Sequence, residues 1–137
     1  MRANVRLALS LLLLIAAGGF GVTAWAIPAV NEQRARPYLK AFADAEAKYG
    51  LPADLLKRVA YQESRYKADA QSPVGAVGLM QFMPATAAEM GFDPADPFAS
   101  IDGAARYLAK LYARFHAWNL AIAAYNAGPG NVSEYAG

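Results

Sequence analysis

Cysteine is absent from the 137 residues, and histidine occurs once, at His116. These scarcities remove thiol nucleophiles, disulfide frameworks, Cys/His zinc sites and paired-histidine metalloprotease motifs. A Ser-His-Asp triad survives the count, although a lone histidine carries little catalytic signal. The acidic residues are dispersed and never fall into the spacing of a calcium loop, so no metal site and no cofactor are expected. Charge of one sign is also missing. The 13 basic and 11 acidic side chains leave a formal +2, and Arg2 and Arg6 account for all of it, so the chain beyond Ala26 is neutral. A neutral body offers neither the phosphate-neutralising surface of a nucleic-acid binder nor a basic patch for anionic lipid. No segment alternates with period two for long enough to demand a strand.

What is present begins with export. Leu7 to Ala17 form an apolar core behind the two arginines, followed by Gly18, Gly19 and then Ala24-Trp25-Ala26. That order matches a secretory signal with a small-x-small cleavage site, so residues 1–26 are read as a cleaved leader. The alternative is an uncleaved inner-membrane anchor, because the run from Leu7 to Ile27 carries no charge and about 20 such residues cross a bilayer. Either way the arginines stay on the cytoplasmic side and the remainder is carried through the inner membrane, predicting a periplasmic protein.

Residues 27–36 are polar and non-periodic around Val30 to Arg36, and read as a linker to a single domain over 37–137. Tyr38, Phe42, Ala45 and Tyr49 predict an amphipathic helix that opens at Pro37 and stops at Gly50. A second helix starts near Pro52 and carries Leu55, Leu56, Val59, Ala60 and Glu63. Ser64 to Met83 lose the period and gain Pro73, Gly75 and Gly78, the composition of a long ordered loop. Pro84 to Met90 predict a short helix, and Phe92 to Phe98 a turn-rich connection. Ile101, Ala104, Ala105, Leu108, Leu111, Tyr112 and Phe115 give the strongest stripe, with Ser100 as its N-cap. A further helix over Asn119 to Ala127 closes at Gly128-Pro129-Gly130. The fold class is all-α, short helices around one core.

Glu63 does not fit its position. It continues the stripe defined by Leu56, Val59 and Ala60, which turns its carboxylate toward the core side. Burial raises a carboxyl pKa unless a cation compensates, and a protonated carboxyl in a partly apolar setting is a general acid. The bland alternative pairs Glu63 with Arg58, Arg65 or Lys67. Two glycine-punctuated segments favour the chemical reading: Ser72 to Pro84 carry Gln81 among apolar neighbours, and Ala124 to Gly130 present Tyr125 and Asn126. Amides and hydroxyls beside aromatic surface suit a sugar ring and its N-acetyl groups. No second acid occupies a comparable apolar setting; Asp69 is nearest and reads as a solvated turn residue.

Taken together, Glu63-Ser64, Ser72 to Pro84 with Thr86, Ala105 to Leu108 and Ala124 to Val132 resemble the SLT-type lytic transglycosylases over Tyr49 to about Tyr135. The resemblance implies a lysozyme-like, goose-type-related fold. It also implies cleavage of the β-1,4 bond between N-acetylmuramic acid and N-acetylglucosamine in peptidoglycan, leaving a 1,6-anhydromuramyl end. Glu63 matches the family's single acid/base, which explains the missing second carboxylate that most glycoside hydrolases need. Tyr125 would orient Glu63, Ser72 and Gln81 would hold the muramyl N-acetyl group, Met83 would pack on a sugar face, and Asn126 matches another cleft residue. Ser64 is either a helix-end hydrogen bonder or a support for Glu63. Ordinary core packing is the alternative for Met83 and Phe82; His116 and Trp118 read as structural or surface groups, and Tyr107 and Leu111 as core.

Size and the signal-like start are most similar to the small transglycosylases of conjugation and type IV secretion systems, so the expected partners are glycan strands and such an apparatus, with the inner membrane added if residues 7–27 are retained. Relatives usually continue past the Tyr125 turn with a Pro-containing segment and a final Tyr-Val, whereas this chain stops at Gly137, the expectation being a minimal or truncated domain. Two other functions fit parts of the pattern: a hydrolytic muramidase, and a non-catalytic wall-binding subunit. The latter has no need of a buried acid.

Overall fold

The computed structural model describes residues 29–136, so the expected leader or anchor over residues 1–26 lies outside the described residues. Within them the chain is all-α, as expected, with isolated bridges at Gln71–Val77 and Val77–Phe82 and no strand. No helix among the described residues is long and apolar enough to cross a membrane. The chain divides into two compact units, and the residues they describe are 29–106 and 107–136.

The first unit opens with a correction. Over Val30 to Arg36, read as non-periodic linker, the chain forms helix α1 (Ala29–Ala35) and a 3-10 turn (Arg36–Tyr38). The buried residues of α1 are Asn31 and Ala35, one polar and one small, so no apolar stripe announced it. Helix α2 (Leu39–Tyr49) buries Phe42, Ala45 and Glu46 and ends at Gly50, whose φ of 71° is the left-handed stop that glycine takes without steric cost. Helix α3 (Leu55–Ser64) buries Leu56, Val59 and Ala60, the predicted stripe. Tyr38, Phe42, Tyr66 and Tyr61 form a chain of ring contacts 5.8–6.4 Å between centroids. Helix α4 (Pro84–Met90) has the predicted bounds.

Helix α5 (Pro97–Phe115) starts earlier than the sequence suggested. Its cap is Asp96, whose Oδ1 accepts the N–H groups of Phe98 (2.9 Å) and Ala99 (3.1 Å). Ser100, expected as the cap, is fully buried and turns its hydroxyl to the Pro97 carbonyl (3.0 Å). An Asp followed by Pro is the stronger start signal, since proline at N1 lacks the N–H that a cap would otherwise satisfy. The start of α5 is tied to α2 through Asp102, which accepts from Lys48 Nζ (2.9 Å) and Tyr49 Oη (3.0 Å).

The second unit comprises the end of α5, helix α6 (Trp118–Ala127) and helix α7 (Pro129–Ala136). Its core is Leu111, Ala121, Ala124 and Val132, with Tyr107, Phe115, Trp118 and Tyr125 packed against it. Helix α7 corrects the expected Gly128-Pro129-Gly130 turn: Gly128 alone makes the break and Pro129 opens a helix. His116 marks the α5 to α6 break with φ 54° and is exposed; Trp118 stacks on Tyr112 at 4.2 Å.

Candidate active site

Glu63 occupies the last turn of α3, three and four residues beyond Ala60 and Val59. Its Oε1 is shielded from solvent and meets no hydrogen-bond partner among the described residues. Desolvation pushes the carboxyl up to a pKa of about 7. The helix end acts in the same sense, because the negative pole of the helix dipole disfavours an anion there. The local ion-pair alternative is not realised. Arg65 gives Nη1 to Tyr61 Oη (2.8 Å) and lies over that ring, while Arg58 and Lys67 are exposed. Among the described residues no ion pair reaches Glu63.

The chain turns sharply directly after it. Arg65 and Tyr66 both adopt left-handed backbone, φ 53° and 61°, each costing about 1–2 kcal/mol for a residue with a Cβ. Strain of that kind persists where surrounding packing imposes it. Tyr66 is held as a buried ring, and burial, with smaller contributions from Tyr61 and Asp54, drives its phenol up to about 12. Ser64, buried, donates its hydroxyl to the Leu79 carbonyl (2.8 Å) and lies 3.1 Å from the Ala60 carbonyl. It therefore fastens the end of α3 to the glycine-rich loop.

That loop is braced by its own side chains. Ser72 Oγ accepts the Ala76 N–H (2.9 Å) across the turn closed by Gly75 N–H to the Ser72 carbonyl (3.0 Å). The hydroxyl proton of Ser72 is left to donate elsewhere. Gln81, at φ 52°, spends both amide hydrogens on backbone carbonyls, Ala70 (3.2 Å) and Gly78 (2.8 Å). Its Oε1 is the atom it can offer. Gly78 has φ +80°, and a Cβ on it would stand 2.2 Å from the Pro94 carbonyl oxygen, so only glycine lets the loop lie against the Phe92–Phe98 connection. Met83 is 43% exposed, which removes the core-packing alternative for it, whereas Phe82 is buried and meets Phe92 edge-on at 4.9 Å. Asp69 is exposed, as expected of a solvated turn.

Glu63, Ser64, Ser72, Gln81 and Met83 thus belong to the first compact unit, and Tyr125 and Asn126 to the second. Tyr125 is half-buried with its ring 5.7 Å from that of Tyr107; Asn126 Nδ2 bonds back to the Ile122 carbonyl at 3.2 Å. One expectation is corrected: a second carboxylate is removed from solvent. Glu46 is buried on α2 and accepts the N–H groups of Asp54 (Oε2, 3.0 Å) and Leu56 (Oε1, 2.8 Å). The signal was there, since Glu46 follows Phe42 and Ala45 on their stripe as Glu63 follows Val59 and Ala60.

Residues 40–137 match the transglycosylase SLT domain family. Over 111 residues the chain is 41% identical to membrane-bound lytic murein transglycosylase F 2 of Alkalilimnicola ehrlichii, covering 75% of this chain and 25% of that protein. Over 94 residues it is 38% identical to the peptidoglycan transglycosylase gp16 of Escherichia phage T7, covering 62% of this chain and 7% of the phage protein. The solved structure of an inactive Glu-to-Gln variant of the lytic transglycosylase Slt from Pseudomonas aeruginosa superposes with a TM-score of 0.62 at 33% identity, over 70% of this chain and 17% of that one. The chain spans a quarter or less of the length of these relatives.

Proposed function

Because the chain belongs to the transglycosylase SLT domain family and has its all-α, lysozyme-like fold, we propose that it is a peptidoglycan lytic transglycosylase whose single acid/base is Glu63. The observation that carries this reading is the Glu63 carboxyl itself, shielded at Oε1, unpaired with any cation among the described residues, and raised to about 7. A catalytic acid is most effective when its pKa lies near the working pH. That a relative is inactive as a Glu-to-Gln variant fits a chemistry resting on one glutamate.

The reaction balances with one carboxyl and no water. Protonated Glu63 gives its proton to the glycosidic oxygen between N-acetylmuramic acid and N-acetylglucosamine. The C1–O bond breaks, and the N-acetylglucosamine side departs as a free 4-hydroxyl. The muramyl N-acetyl oxygen stabilises the positive C1, filling the role that a second carboxylate plays in most glycosidases. Glu63, now a carboxylate, takes the proton of the C6 hydroxyl as O6 bonds to C1. The 1,6-anhydro ring is closed and the acid regenerated.

The remaining residues divide by what their atoms can still do. Ser72 donates its hydroxyl proton to the N-acetyl carbonyl, and Gln81 accepts through Oε1 from an N-acetyl N–H or a sugar hydroxyl. Met83 offers an exposed apolar face to the pyranose. For Tyr125 and Asn126 the family resemblance implies roles in the same chemistry. Ser64 supports Glu63 through its bond to the loop. Export to the periplasm rests on the arginines ahead of the apolar run from Leu7 to Ile27, and retention of that run as an anchor fits the membrane-bound relatives. A conjugation or secretion apparatus as partner rests on the small size and the signal-like start of the chain.

The test is mass spectrometry of muropeptides released from purified sacculi by the full chain. Products ending in 1,6-anhydromuramic acid are expected from the wild type, and none from Glu63→Gln. Reducing ends heavier by one water would identify a hydrolytic muramidase instead, and binding to sacculi without release would identify a non-catalytic wall-binding protein.

A further inference from the structure

Glu46 works on both sides of the corner between α2 and α3. Its backbone carbonyl accepts the N–H of Gly50 and that of Leu51 (2.9 Å), closing the end of α2. Its side chain, on a residue only 7% exposed, reaches across to the next helix and takes the N–H groups of Asp54 (3.0 Å) and Leu56 (2.8 Å). Helix α3 has no other side-chain cap among the described residues. Asp54, at the N-cap position, makes no cap bond and sits in left-handed backbone at φ 62°. The opposite end of α3 is held by Ser64 on the Leu79 carbonyl.

Glu63 therefore rides on a helix fastened at its two ends, about 10 Å of helix rise beyond Leu56. We propose that Glu46 is a positioning residue for Glu63: its carboxylate fixes the seat of α3 and thereby the place of the Glu63 carboxyl. This rests on the assignment of Glu63 as the acid/base. Without the Glu46 carboxylate, two N–H groups lose their acceptor and the left-handed Asp54 loses what holds it, so the first turn rewinds and the helix shifts. The groups offered to the sugar by Ser72, Gln81 and Met83 belong to a different segment, braced by the bonds of Ser72 and Gln81 and joined to α3 at its Ser64 end, away from the Glu46 corner. Loss of Glu46 consequently weakens turnover and spares binding.

The experiment compares full-length wild type, Glu63→Gln, Glu46→Ala and Glu46→Gln on soluble glycan strands of defined length, at a temperature where thermal melting shows each protein folded. For Glu46→Ala, kcat is expected to fall about 10–100-fold with KM within about twofold, the loss typical of a misplacement near 1 Å. Glu46→Gln keeps one acceptor oxygen and is expected to recover to within about tenfold of wild type, still below it. If Glu46→Ala does not fold, Glu46→Gln carries the test alone, with kcat lowered about 3–10-fold and KM unchanged. Variants that are folded and keep wild-type kcat, or that lose activity through KM, overturn the proposal while leaving Glu63 in place. A wild type that releases no anhydro product overturns the functional reading and this inference with it.

Discussion

A carboxyl that is harder to ionise in the folded chain than in the unfolded one leaves a mark on stability as well as on catalysis. Glu63 titrates near 7 when folded, against an ordinary value of 4.5. Below 4.5 both states carry the proton and nothing is lost. Between 4.5 and 7 the unfolded chain releases its proton and the folded one does not, so stability falls as pH rises, reaching its full deficit above 7. Glu63→Gln abolishes this dependence. The variant is expected to gain about 3 kcal/mol over wild type at pH 8 and almost nothing at pH 4, measured by urea denaturation at both pH values. In activity the same group gives a falling limb: turnover by the wild type should drop tenfold per pH unit well above 7, where the protonated acid becomes scarce. Glu63 was legible in the sequence because a charged residue on an apolar stripe has one physical meaning, burial. Glu46 carries the same mark. The stripe says that a carboxylate is buried, and only the fold says whether it meets two backbone N–H groups or none.

Helices α2, α3 and α4 are readable from their apolar spacing, and glycine or proline marks the end of α2 at Gly50 and both ends of α4, whereas α2 opens at Leu39 and not at Pro37, and α3 at Leu55 and not near Pro52. The misreadings have local causes. Helix α1 hides behind Asn31 and Ala35, and at the start of α5 Ser100 imitates the cap that Asp96 supplies, with Pro97 as the first helical residue. Asp96→Ala should therefore destabilise the protein by about 1 kcal/mol, and Ser100→Ala by less than about 0.5 kcal/mol, in the same denaturation assay. Pro73, Gly75 and Gly78 mark Ser64 to Met83 as an ordered loop, although not the role of each glycine. Gly78 has both a positive φ and the Pro94 carbonyl in the way of a side chain, whereas Gly91 has a positive φ and open space around it. Gly78→Ala is expected to cost about 2–4 kcal/mol, and Gly91→Ala about 1 kcal/mol. Similar costs at the two positions would mean that the loop does not depend on its close approach to Pro94.

On the scale of the whole molecule, the sequence announced an all-α chain with a single perturbed acid, and the two compact units bear out the fold class. What it could not announce was the partition of the proposed sugar-facing groups between them, with Glu63, Ser72, Gln81 and Met83 in one and Tyr125 and Asn126 in the other. Motif order along a chain does not encode packing. The chemistry proposed for the chain reduces to one equilibrium, the proton on Glu63, and at 14.6 kDa the chain is small enough to observe it directly. A carbon-detected NMR titration of the Glu63 side-chain carboxyl, assigned by comparison with Glu63→Gln, should show its inflection near pH 7. An inflection in the ordinary glutamate range, near 4.5, would mean that the group is an anion at neutral pH and has no proton to give the glycosidic oxygen.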